Sequence, residues 1–105
     1  MLPADRFDKE GFLRDLDDWE PSVAQQIAAG EGIELTQAHW ELLNLLRDYY
    51  AEFDSSPAMR ALVKYCAVKL GKEKGRSIYL MSLFPGSPAK LGSKIAGLPK
   101  PENCL

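Results

Sequence analysis

Two cysteines and one histidine are all that this chain of 105 residues has of the residue types that most often hold metals or build disulfide frameworks. Cys66, Cys104 and His39 have no zinc-like spacing, which argues against a metal site, and no cofactor is expected. The N-terminus, Met1-Leu-Pro-Ala-Asp-Arg6, lacks the basic then apolar pattern of a secretory leader. Free thiols are therefore expected rather than a disulfide scaffold, with the cytoplasm as the compartment. No apolar run approaches the roughly 20 residues that a membrane-spanning helix needs, so no membrane segment is expected. Internal repeats and low-complexity tracts are also missing, which argues against a repeat array.

What is present is an ordinary globular composition, with 46% hydrophobic and 27% charged residues. A chain of this size organises one core and buries roughly two thirds of its surface on folding. The net charge of -2 hides a division of sign. Residues 1–56 hold 13 acids against four bases, whereas residues 57–105 hold two acids against nine bases. A basic C-terminal half would steer an acidic or anionic partner toward it, unless those charges only solvate the surface.

Punctuation residues mark about five helices in a mainly α bundle. The first runs from Pro21 to about Ala29. Thr36 caps a second, reaching about Phe53, whose Trp40, Leu43, Leu46, Tyr50 and Phe53 recur as a core-facing stripe. Ser56 is expected to cap the third, which carries Met59, Leu62, Val63, Cys66 and Leu70 and stops at Gly71. A fourth spans Arg76–Phe84, and a fifth opens at Ser87-Pro88 and closes at Gly97. Residues 1–18 offer at most a short β-hairpin around Arg6-Phe7 and Phe12-Leu13, or irregular chain. The bundle thus covers residues 1–97. Residues 98–105, Leu-Pro-Lys-Pro-Glu-Asn-Cys-Leu, contain two prolines and read as a flexible, extended arm.

Cys104 is the candidate for chemistry because of its place, second from the end of that arm. Eight extended residues would carry its thiol roughly 25 Å from the last helix, into another protein's active site. Pro99 and Pro101 stiffen the arm and reduce the entropy lost on capture. Position alone also allows an incidental cysteine in a loose terminus. Prenylation is excluded, since it needs the cysteine fourth from the end. Cys66 lies on an apolar stripe and reads as core, and His39 reads as a surface or cap-region residue. Lys90, Lys94 and Lys100 are candidate contacts to an acidic partner surface or to phosphate. The second and third helices form a helix-turn-helix-like pair whose Arg60, Lys64 and Lys69 would suit phosphates. Any αα-hairpin with a solvated face would look the same, so a nucleic-acid binder stands as an alternative.

The segment Lys94-Ile-Ala-Gly-Leu-Pro-Lys-Pro-Glu-Asn-Cys104 closely resembles the C-terminal signature of the TusE/DsrC family of sulfur-trafficking proteins. The resemblance extends through Lys74–Lys90, Ser56–Lys64, Glu31–Glu41 and Arg47-Asp-Tyr-Tyr50, covering about residues 11–105. It implies that Cys104 is the sulfur-carrying residue, held as a persulfide, and that the activity is that of a sulfurtransferase. The DsrC branch usually carries a second cysteine eleven positions earlier, where this chain has Ser93. Serine cannot form that branch's intramolecular disulfide, so the single-cysteine TusE pattern fits better. The resemblance then implies a TusBCD-like donor complex and an MnmA-like tRNA thiouridylase as acceptor, acting on the wobble uridine of tRNA. A DsrC-like role beside sulfite reductase, or one in sulfur oxidation, is the alternative within the family. Gly11-Phe12-Leu13 matches the second strand of the family's N-terminal hairpin, while residues 1–10 are short for the first.

Overall fold

Each of the five expected helices forms, and the residues at their ends explain where they begin and stop. A computed structural model describes residues 1–102. The helices are α1 (Pro21–Gly30), α2 (Gln37–Phe53), α3 (Met59–Leu70), α4 (Ser77–Leu83) and α5 (Pro88–Ile95). Pro21 and Pro88 occupy first-turn positions, where a missing N–H costs nothing. Entry into α2 is a capping box in which the backbone N–H of Thr36 donates to His39 Nδ1 at 3.1 Å. Asp54 ends the same helix in the left-handed region, at φ 54°.

Two expectations about these ends need correction. Ser56 does not cap α3; the residue preceding the helix is Ala58, and the Ser56 hydroxyl is used elsewhere. Phe53 continues the apolar stripe of α2 in register, yet it is 50% exposed, because the stripe runs beyond the end of the core.

The helix at the centre presents small side chains to its neighbours. α5 packs against α1, α2, α3 and α4 alike. Ala89, Gly92 and Ser93 are fully enclosed, and a Cβ added at Gly92 would come within 2.9 Å of Leu46 Cδ1. Around α5 the core is built by Leu42, Leu43 and Leu46 of α2, Leu62 and Cys66 of α3, Leu80 of α4, and Phe84. Each such large side chain contributes about 1.5–3 kcal/mol through removal from water.

The expected N-terminal hairpin is reduced to one antiparallel bridge, Phe7 with Leu13, and no strand pair forms among the described residues. Single 3-10 turns at Ala4–Arg6 and Leu16–Asp18 flank it. The Asp8 carboxylate accepts from the N–H groups of both Glu10 and Phe12 at 2.9 Å and closes the turn, and the 3-10 turns outside the bridge end the pairing there. Phe12 and Leu13 still reach the interior.

Candidate functional site

Because α5 is the central helix, the C-terminal segment begins from the most constrained point of the molecule. Gly97 follows α5 with φ 75°, and its N–H donates to Lys94 O at 3.2 Å. The Leu98 N–H donates to Ser93 O at 2.9 Å, which completes a Schellman motif. Two side chains from distant parts of the chain satisfy the next two carbonyls. Trp19 Nε1–H donates to Ile95 O at 3.0 Å, and Arg47 Nη1–H donates to Ala96 O at 2.7 Å. The Arg47 guanidinium also lies over the Trp19 ring, 4.0 Å from its centroid. Its positive charge faces the negative end of the helix dipole. Burial lowers the Arg47 pKa from its ordinary value. The four carbonyls from Ser93 to Ala96, which a helix end normally leaves to water, all have donors.

The arm expected to leave the body at Leu98 does not leave there. Leu98 is 2% exposed and belongs to the core. The Ser56 hydroxyl donates to Pro99 O at 2.6 Å, Lys100 Nζ lies 3.2 Å from Glu10 Oε1, and Pro101 is buried. Residues 98–101 are therefore laid along the body between the α2–α3 turn and the N-terminal turn. Cys104 itself lies outside the described residues. The three residue steps from Pro101 to Cys104 span at most about 11 Å, less than half the reach expected of an arm rooted at Gly97.

The candidate cations fall into two groups. Lys90, Lys94 and Lys100 converge on two carboxylates: Lys90 and Lys100 are 3.8 and 3.2 Å from Glu10, and Lys94 is 2.7 Å from Glu31. Lys90 and Lys94, with Glu10, Glu31, Pro85 and Ser87, border a depression of about 420 Å³. Exposed pairs of this kind contribute about 0–1 kcal/mol each. Arg60 and Lys64 stand apart from these on α3, exposed and unpaired with any carboxylate among the described residues.

The other two reactive side chains are committed to structure. Cys66 is 0% exposed, and its thiol donates to Lys74 O at 3.2 Å. Burial pushes that thiol's pKa up, Glu41 adds to the shift, and Lys74 opposes it. His39 accepts the Thr36 N–H on Nδ1, and its Nε2 lies 2.9 Å from Leu83 O, a carbonyl that accepts from Nε2–H. With both nitrogens occupied, the ring joins α2 to α4 and is not free to act as a base. Ser93, at the position of the second cysteine in the DsrC branch, is fully buried, and its hydroxyl finds no partner among the described residues.

Sequence reasoning missed Trp19, Arg47 and Ser56 as residues that hold the arm. A signal was present for one of them: Arg47 lies beside Leu43, Leu46 and Tyr50 on the inward side of α2, where a cation needs a buried acceptor. Neither Trp19 nor Ser56 carries such a mark.

Comparison with known proteins places these features in a context. Residues 4–105 match the family model described as "DsrC like protein". The chain is 53% identical over 98 residues to the Sulfurtransferase TusE of Salmonella typhimurium, covering 93% of this chain and 90% of that one. It is 52% identical over 98 residues to the Sulfurtransferase TusE of Escherichia coli, with the same shares covered. Among solved structures, DsrC of Allochromatium vinosum superposes with a TM-score of 0.85 at 52% identity, over 94% of this chain and 88% of that chain. The oxidised gamma-subunit of dissimilatory sulfite reductase (DsrC) from Archaeoglobus fulgidus gives a TM-score of 0.81 at 39% identity, over 95% and 91%.

Proposed function

The chain belongs to the DsrC-like protein family and is a sulfurtransferase of a sulfur-relay system, and from that premise we propose that Cys104 is its sulfur-carrying residue. The observation that carries this assignment is the enclosure of the alternative. Of two thiols, Cys66 is sealed in the core with its proton committed to a carbonyl, so relay chemistry falls to Cys104. The Cys104 thiolate attacks the outer sulfur of a donor persulfide. The donor's S–S bond breaks, a donor thiolate leaves, and Cys104 becomes the persulfide. In the second step an acceptor thiolate attacks the outer sulfur, and Cys104 departs as thiolate. No external oxidant or reductant enters either step.

The donor in this reading is a TusBCD-like complex and the acceptor an MnmA-like tRNA thiouridylase, in the cytoplasm. No helix among the described residues is long and apolar enough to cross a membrane. Lys90, Lys94, Lys100, Arg60 and Lys64 are the side chains available to a partner's carboxylates or to tRNA phosphate. Serine at position 93 favours this reading over a sulfite reductase subunit, because no second cysteine stands there to bridge Cys104. Reconstitution with purified donor, thiouridylase and tRNA tests it: 2-thiouridine should form with wild type and not with Cys104→Ser. Thiolation at the wild-type rate with Cys104→Ser would refute the assignment.

A further inference from the structure

The short reach of Cys104 beyond Pro101 has a consequence for docking. An acceptor that takes sulfur from a residue whose Cα is at most about 11 Å along the chain from Pro101 must cover the surface from which the chain emerges. That surface lies where α2 ends and α3 begins, since Tyr50, Asp54, Ser55 and Ala58 border the depression that Pro99, Lys100 and Glu102 enter.

A second depression of about 400 Å³ begins at Phe53, the chain neighbour of Asp54, and is walled by Tyr49, Glu52, Phe53, Tyr65, Val68 and the stems of Lys64 and Lys69. Phe53 is 50% exposed and Val68 76% exposed. The three rings hold one another in place. Tyr49 and Phe53 have centroids 4.5 Å apart, Tyr49 and Tyr65 5.1 Å, and Phe53 and Tyr65 6.2 Å. The Tyr65 hydroxyl donates to Glu52 at 3.2 Å, and Lys69 Nζ lies 5.5 Å from the Tyr65 ring centroid.

The charge around these rings is divided. α3 carries Arg60, Lys64 and Lys69 and no acid, and none of the three is paired with a carboxylate among the described residues. α2 supplies Asp48 and Glu52 on the opposite edge. Packed aromatics with a one-sided cationic rim match the anatomy of a protein interface. The acidic edge disfavours a polyphosphate lying across the same groove.

We propose that this face is the docking surface for the sulfur-accepting enzyme, which presents an apolar side chain to Phe53, Tyr65 and Val68 and carboxylates to Lys64 and Lys69. The proposal rests on the sulfur-carrier reading above and names the surface by which that reading is carried out. Contact at Phe53 sets the acceptor beside the depression that Pro99, Lys100 and Glu102 border.

The test is steady-state transfer from persulfide-loaded protein to the thiouridylase and tRNA, with the carrier concentration varied. The variants are Val68→Asp and the double variant Lys64→Glu/Lys69→Glu, all at exposed positions, so the fold is retained. The KM for loaded carrier should rise at least about tenfold, equivalent to about 1.4 kcal/mol, with kcat within about twofold of wild type. Loading of Cys104 by a small sulfane donor should not change. A KM within about twofold of wild type in both variants would overturn the surface while leaving the carrier reading intact. Binding of tRNA alone by wild type in a gel shift, abolished by the lysine reversals, would assign the face to nucleic acid and overturn it too. Failure of loaded wild type to transfer any sulfur would refute the carrier reading, and with it this one.

Discussion

Replacing Gly97 with alanine tests whether the root of the arm is as rigid as its contacts indicate. The backbone there has φ 75°, and a Cβ would fall 2.3 Å from Trp19 Cδ1 and 2.6 Å from Cγ. An alanine in the left-handed region costs roughly 1–2 kcal/mol by itself. Relief of the clash moves the indole, which gives up its bond to Ile95 O, worth about 1 kcal/mol. The same movement loosens the Arg47 stack, worth about 0.5–1 kcal/mol. Together these predict a loss of about 2–4 kcal/mol, with a fall in Tm of about 10–25 °C for a domain of this size. Urea and thermal unfolding followed by tryptophan fluorescence measure it. Gly30→Ala is the paired control: nothing lies within 4 Å of its added Cβ, and its φ is not positive. That change should be neutral or stabilise by up to about 1 kcal/mol. A Gly97→Ala protein as stable as wild type would refute the close-packed root.

Ser93→Ala should stabilise the fold by about 0.5–2 kcal/mol, since the buried hydroxyl has no partner among the described residues and its desolvation is uncompensated; a loss in denaturant midpoint would show that Ser93 bonds to something. The raised Cys66 pKa means that the native state keeps this proton longer than the unfolded chain does. Its stabilising contribution is complete below the unfolded thiol value of about 8.5 and is lost as pH rises from there through the folded value. The urea midpoint of wild type should therefore fall more steeply above pH 8.5 than that of Cys66→Ala, and parallel slopes would refute the shift. Thiol-specific labelling of native protein near neutral pH should modify Cys104 while Cys66 reacts only on unfolding; equal labelling of both would contradict the enclosure of Cys66.

The helices were legible because proline, glycine and apolar spacing are local signals. Pro21, Pro88 and Gly71 mark ends that formed where expected. Cys66 was legible as core from the same periodicity. What escaped was non-local. Leu98 between a glycine and a proline reads as loop, yet a core vacancy beside α5 takes it in. Ser56 reads as a helix cap, but Pro99 O, 43 residues away, receives its hydroxyl. Trp19 carries no periodic signal at all, although its indole caps a helix 76 residues on. The arm was read as free from its composition. Composition reports that a segment forms no regular structure, not whether it is docked.

Intact mass spectrometry after incubation with a small sulfane sulfur donor tests the central claim most directly, because it weighs the cargo on the carrier. Wild type and Cys66→Ser should each gain the mass of one sulfur atom, removable by reductant, and Cys104→Ser should gain none. A gain that persists in Cys104→Ser and disappears in Cys66→Ser would place the sulfur on the buried thiol and contradict the account.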